Sequence, residues 1–106
     1  MTKITELTTG DERVAADTQD PEVAAELART AVANQLAILV VAYRVEHGLT
    51  QTGLARKLGM TQPAVARLEA GDHEPTVATL ARLAHQLGIT LRLELFPESV
   101  VLVASG

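Results

Sequence analysis

From Asp20 to Gly88 the chain is punctuated four times by a residue suited to start a helix and a glycine suited to end one: Asp20 with Gly48, Thr50 with Gly59, Thr61 with Gly71, and Thr76 with Gly88. An Asp or Thr side chain accepts a hydrogen bond from an otherwise unpaired N–H of the first turn, and a glycine beyond the last turn takes the left-handed conformation that terminates it. The first segment carries the fullest signal. Asp20 is the cap, Pro21 suits the first helical position, Glu22 favours the positive end of the dipole, and nothing breaks the helix before Glu46 and the His47-Gly48 stop. The three later segments are each two to three turns long and are joined by only a few residues, so neighbouring helices must turn sharply against one another.

Apolar spacing says which faces are covered. In the first helix Val32, Leu36, Val40 and Tyr43 share one face. Leu27, Ala31, Asn34, Ile38, Val41 and Val45 make a heptad-like seam on roughly the opposite one. A helix apolar all round needs cover all round. One face can pack on the rest of the domain. The other calls for a second copy of the chain, with Asn34 fixing register, or for the N-terminal arm or the C-terminal segment folded back. In the short helices Leu54, Ala55 and Leu58, then Val65 and Leu68, then Val77, Leu80, Leu83, Ala84 and Leu87 are expected inward.

After Gly88 the period changes to two. Ile89, Leu91, Leu93 and Leu95 alternate with Thr90, Arg92 and Glu94, the pattern of a half-buried strand. Phe96-Pro97-Glu98-Ser99 interrupts it, and Val100–Ala104 is a second strand-prone run. A strand cannot leave its backbone edges buried and unpaired. The two runs therefore form a hairpin, or the Ile89–Leu95 strand pairs with its counterpart in another subunit. The inter-subunit arrangement is the preferred reading.

Composition bounds the rest. The 106 residues suit one domain. At 47% hydrophobic, with Tyr43 and Phe96 as the only aromatics, the core must be aliphatic. The absence of cysteine excludes a disulfide scaffold, a thiolate zinc site and a cysteine nucleophile. Met1–Gly10 lacks the basic-then-apolar order of a secretory signal. The longest uncharged span, Thr30–Tyr43, is 14 residues, short of the roughly 18 a membrane crossing requires. The expectation is a cytoplasmic protein with no membrane association, and with no cofactor or metal. The net charge of −4 argues against a broad basic footprint for nucleic acid. The charge is unevenly spread, however. Residues 1–22 hold Lys3 and Arg13 against Glu6, Asp11, Glu12, Asp17, Asp20 and Glu22, whereas residues 50–70 hold Arg56, Lys57 and Arg67 against Glu69 alone. The organisation read from this is a flexible acidic arm over 1–20, a helical domain over 21–88, and a strand segment over 89–106 that serves dimerisation.

The stretch from Leu49 to Gly71, LTQTGLARKLGMTQPAVARLEAG, carries the function. Ala55 is small where two helices would cross closely, Gly59 permits a tight turn, and Leu54, Leu58, Val65 and Leu68 weld the pair. Thr61 then caps a second helix whose N-terminal half is left exposed, fit to enter a major groove end-on. This stretch strongly resembles the Cro/cI-type (XRE-like) helix-turn-helix of phage repressors and bacterial regulators, and the resemblance implies a lambda-repressor-like bundle. It further implies that Gln51 bonds a phosphate and steadies the recognition helix, and that Thr50 and Thr61 reach phosphates. Gln62, Pro63, Ala64 and Arg67 fall at base-facing positions. Arg67 can grip guanine O6 and N7, Gln62 can pair with adenine, and Pro63 and Ala64 offer apolar contact. Arg44 and Glu69 match a structural ion pair. Gly53 stands where the family often has Glu, so the capping box lacks its returning side chain. The acidic Asp72-His73-Glu74 loop predicts weak binding as a monomer and a shallow salt slope.

The layout of acidic arm, leading helix, motif and terminal strand is also similar to HigA-type antitoxins. That resemblance implies a basic ribonuclease toxin as partner beside double-stranded DNA. The expected function is a bacterial, homodimeric, sequence-specific repressor on a pseudo-palindromic operator, nucleoid-associated when bound, and the antitoxin of a toxin–antitoxin operon. The alternative is a protein-binding inhibitor of such a toxin, with DNA binding secondary. Dimerisation is assigned to Ile89, Leu91, Leu93 and Leu95, or to the Ile38 and Val41 face. His47, His73 and His85 lack metal-ligand spacing, Ser99 and Ser105 have no base nearby in sequence, and no enzymatic role is expected.

Overall fold

A computed structural model describes residues 20–106. The arm read over 1–20 therefore lies, Asp20 apart, outside the described residues. The long helix α1 spans Pro21–Glu46. The Asp20 carboxylate accepts from the Glu22 N–H at 2.9 Å to start it, and the His47 N–H returns to the Tyr43 carbonyl at 3.0 Å to end it. Three short helices follow: α2 (Gln51–Leu58), α3 (Gln62–Ala70) and α4 (Val77–Leu87). Each is opened by its threonine hydroxyl. Thr50, Thr61 and Thr76 accept from the N–H groups of Gly53, Ala64 and Thr79 at 3.0, 3.2 and 3.0 Å. Strands β1 (Thr90–Phe96) and β2 (Ser99–Ser105) complete a mainly helical chain.

Leu36, Leu39 and Val40 of α1 meet Leu54, Ala55 and Leu58 of α2, Val65 of α3, Leu83 of α4, and Leu102 and Ala104 of β2 in one aliphatic core. Gly71 lets the end of α3 press against α1. It has φ +70, and a Cβ there would stand 3.1 Å from Ala37 Cβ and 3.2 Å from Asn34 Oδ1. Both the left-handed backbone and the close approach require glycine. By length and apolar content α1 could span a membrane. Its buried residues belong instead to the core of this fold, and its Gln35 and Arg44 bond other parts of the same chain.

Of the two expected strand arrangements, the hairpin, which was not the preferred one, is formed. β1 pairs antiparallel with β2 of its own chain, from Thr90 opposite Ser105 to Phe96 opposite Ser99. Two strand-prone runs separated by a two-residue turn close locally as a hairpin. The other edge of β2 is sealed from an unexpected direction. Gln35, fully buried in α1, donates from Nε2 to the Val100 carbonyl and accepts at Oε1 from the Leu102 N–H, both at 2.7 Å. One side-chain amide thus substitutes for a third strand.

Three burial expectations also change. Val77 of α4 is 81% exposed rather than inward. It shares a side with Leu80 and Ala84, but it lines an open groove with Leu91 and Leu93 of β1 instead of meeting a covering element. Of the alternating apolar residues Ile89, just before β1, and Leu91 are half-buried, whereas Leu93 and Leu95 are exposed. The α1 seam is split: Ala31 is buried, Leu27 and Val41 are half-buried, and Asn34, Ile38 and Val45 are exposed.

Candidate nucleic-acid interface

Helices α2 and α3 turn on Gly59-Met60 and are held by fully buried Leu54, Leu58 and Val65. Burial of Val65 on the inner side of α3 leaves Pro63 and Arg67 exposed on the outer side, and Gln62 is exposed at the first turn of the helix. Pro63 and Arg67 are one turn apart and so share a face. Ala64 is half-buried and lines a shallow groove with Arg67, Met60 and Thr79. Thr50 and Thr61 stand exposed at the starts of α2 and α3, with their hydroxyls already used as caps. Arg56 and Lys57 are exposed in the last turn of α2. Ile38 is exposed on α1, Ile89 just precedes β1, and Leu91, Leu93 and Leu95 lie on β1; none of them lines the groove beside Arg67.

A continuous polar chain supports α3 from behind. Arg44 Nε donates to Glu69 Oε2 at 2.7 Å and its Nη2 to Oε1 at 3.1 Å, a bidentate pair tying α1 to α3. Arg44 Nη1 also donates to the Leu49 carbonyl at 3.2 Å, fixing the loop ahead of α2. Gln51 Nε2 donates to Glu69 Oε1 at 3.0 Å, and Gln51 Oε1 accepts from Gln62 Nε2 at 2.7 Å. The order is therefore Arg44, Glu69, Gln51, Gln62, running from α1 to the exposed start of α3. The resemblance paired Arg44 with Glu69 and gave Gln51 the steadying of the recognition helix, but it did not name Glu69 and Gln62 as the partners of Gln51. The spacing of Gln51 and Gln62 at the first positions of two crossing helices was the available signal.

Burial of Glu69 works to raise its carboxyl, but the hydrogen bonds from Arg44 and Gln51 and the Arg44 charge outweigh it and hold it below the ordinary carboxylate value. A carboxyl depressed in the folded chain stabilises the fold above its unfolded pKa, and that contribution is lost as pH falls through the folded one. Acid titration of stability should therefore show a limb below the usual carboxylate range that Glu69→Gln removes. Identical acid limbs for the two proteins would show that the pair does not couple to folding.

The electrostatics of the exposed rim are mixed. Asp72 forms a 2.7 Å bond with His73 Nδ1, which lowers its carboxyl against slight burial, and Arg67 adds a smaller favourable charge. The principal cation on this face thus stands beside an acidic loop. No group of His, Asp and Glu among the described residues is arranged to hold a metal ion.

Two short helices crossed at a tight turn, the second exposed along one side and braced by the first helix, define a helix-turn-helix domain. The chain matches the Helix-turn-helix family over residues 40–93, just over half its length, and belongs to that family, as the Cro/cI-type resemblance implied. It is 33% identical over 76 residues to Antitoxin HigA1 of Mycobacterium tuberculosis, an alignment covering 72% of this chain and 51% of that one. It is 39% identical over 56 residues to an uncharacterized HTH-type transcriptional regulator, YqaE of Bacillus subtilis, covering 53% and 48%. A further relative, the uncharacterized HTH-type transcriptional regulator y4dJ of Sinorhizobium fredii, is 43% identical over 47 residues, covering 44% and 61%. The match thus spans about half the length of HigA1. No solved structure matches the chain at a significant level.

Proposed function

We propose that this chain is a sequence-specific, double-stranded-DNA-binding repressor that acts as a homodimer on a pseudo-palindromic operator. The observation that carries the reading is the exposed surface of α3, with Pro63 and Arg67 open to solvent on its outer side and Gln62 open at its first turn, oriented through Gln51 and Glu69. In this reading Arg67 reads guanine, Gln62 adenine, and Pro63 with the rim of Ala64 a thymine methyl. Gln51, Thr50 and Thr61 contact phosphates and set the register of α3 in the groove. Few cations flank the helix, so one copy binds weakly. Two copies, through β1 or through the Ile38 and Val41 face, bring two recognition helices to half-sites about 34 Å apart.

Arg67→Ala is expected to lower operator affinity about 5- to 150-fold, the equivalent of about 1–3 kcal/mol, in fluorescence-anisotropy titrations. The melting temperature should be unchanged, because Arg67 is exposed. Full affinity and sequence preference in that variant would remove Arg67 from base readout.

The relation to a protein named antitoxin supports a second role. In it the chain also binds and silences a small basic ribonuclease toxin, in the bacterial cytoplasm, and represses the shared operon. The adjacent reading frame should then encode a short basic protein whose toxicity co-expression relieves. A solitary gene, or a neighbour that is harmless when expressed alone, contradicts this role and leaves the repressor reading intact.

A further inference from the structure

The two hydrogen bonds from Gln35 fix the direction of every backbone group in the hairpin. Val100 and Leu102 turn theirs toward Gln35, so by antiparallel alternation Val101, Val103 and Ser105 turn theirs toward β1. Their partners Glu94, Arg92 and Thr90 bond inward in return. The N–H and C=O groups of Leu91, Leu93 and Leu95 therefore point to the outer edge of β1. Among the described residues no further strand pairs with that edge. Between Thr90 and Phe96 there is no proline and no lysine, the register runs without a bulge, and Leu93 and Leu95 are 44% and 72% exposed. Edges left in this state pair with another strand.

The side chains then say which strand. We propose that β1 pairs antiparallel with β1 of a second copy about a two-fold axis at Leu93, giving a four-stranded sheet across the dimer. Only residues whose backbone groups face the edge can be hydrogen-bonded partners, so the dyad must match odd-numbered residues with odd. Centring on Leu93 sets Leu93 opposite itself, Leu91 opposite Leu95, and Arg92 opposite Glu94 of the partner, twice over. Shifting the centre to residue 92 or to residue 94 sets Arg92 against Arg92 or Glu94 against Glu94, and like charges directly opposite are destabilising. Larger shifts leave half of the strand unpaired. Arg92 and Glu94 already share one face, with Nε 3.3 Å from Oε2, so in the dimer they form a square of four charges alternating in sign. A two-fold axis normal to the sheet keeps all six leucines on the other face. The exposed Leu93, Leu95 and Val77 of both copies then gather in one apolar seam.

This inference rests on the homodimer reading and names its surface. The test is sedimentation equilibrium of the wild-type chain, of Arg92→Glu, of Glu94→Arg, and of an equal mixture of the two variants, with thermal melts confirming that each folds. In the Leu93-centred register each single variant sets like charges opposite at both positions, and its dimer Kd should rise about ten-fold. The mixture restores Glu opposite Arg at every position, so heterodimers should form at wild-type affinity although each chain alone stays weak. Loss of an intrachain Arg92–Glu94 contact cannot produce that rescue, because both variants lack it. Because the chain has no cysteine, Leu93→Cys also gives a single thiol. It should cross-link to its own copy with a short bis-maleimide, whereas Leu91→Cys should not. Single variants that dimerise like wild type, or a mixture without rescue, overturn the β1 register and leave the homodimer reading standing. Ile38→Asp then decides whether the dimer forms through α1. A wild-type chain that is monomeric at high concentration and on DNA overturns both.

Discussion

Replacing Gln35 with leucine should cost the fold about 3 kcal/mol and lower the melting temperature by roughly 10–20 °C. Leucine keeps most of the volume of the buried side chain, so the loss reports hydrogen bonding rather than a cavity. The Val100 carbonyl and the Leu102 N–H would each lose their partner in a place water does not reach, and each orphaned group costs about 1–3 kcal/mol. The penalty is large because the glutamine joins elements distant in sequence: α1, which carries Arg44, and the hairpin, which carries the proposed dimer edge. Hydrogen exchange in Gln35→Leu should show the Leu102 amide losing protection before the amides of α2 and α3. A loss under about 1 kcal/mol, with Leu102 still protected, would mean that β2 finds another partner.

The second large effect is expected at Glu69. Its side chain is 7% exposed, and that of Arg44 23%. Glu69→Ala leaves a largely covered guanidinium with the Leu49 carbonyl as its remaining acceptor and frees Gln51 Nε2. Breaking a fully buried pair costs about 3–5 kcal/mol; the partial exposure of Arg44 brings the expectation to about 2–3 kcal/mol in chemical denaturation. Affinity for DNA should fall as well, although Glu69 is not on the exposed side of α3, because Gln51 and Gln62 lose their orientation. The double variant Arg44→Leu with Glu69→Leu separates the two effects. Stability should largely return, since no unpaired charge remains, while DNA affinity stays low. Recovery of both would show that the polar chain braces the fold without orienting α3.

Helix boundaries were legible because their chemistry is local. An Asp or Thr cap acts within three residues, and a left-handed glycine acts where it stands, so the helix expected from Pro21 to Glu46 and the three short ones appear with those limits. The motif was legible for a related reason. The inward positions Leu54, Leu58 and Val65 leave Pro63 and Arg67 outward by helical geometry, and Gln62 stays open because it begins the helix. The partner of β1 was not legible, since an alternating pattern specifies a strand but not which of two edges meets which neighbour. Gln35 sits in an apolar run and seals a strand more than sixty residues away, a match no local pattern encodes. Val77, Leu93 and Leu95 misled through a correct period. Their side of the helix or strand is apolar, but within one chain nothing among the described residues reaches far enough to cover it.

Selection of bound duplexes from a random double-stranded pool tests the central claim most directly, namely that the open side of α3 reads base sequence. The expected result is a symmetric consensus of two half-sites whose centres lie one helical turn apart, about 10 base pairs. Arg67→Ala should lose the guanine preference while keeping weak, sequence-independent retention of DNA. A pool that emerges without consensus from the wild-type chain, or a consensus unchanged by Arg67→Ala together with Gln62→Ala, would contradict the account.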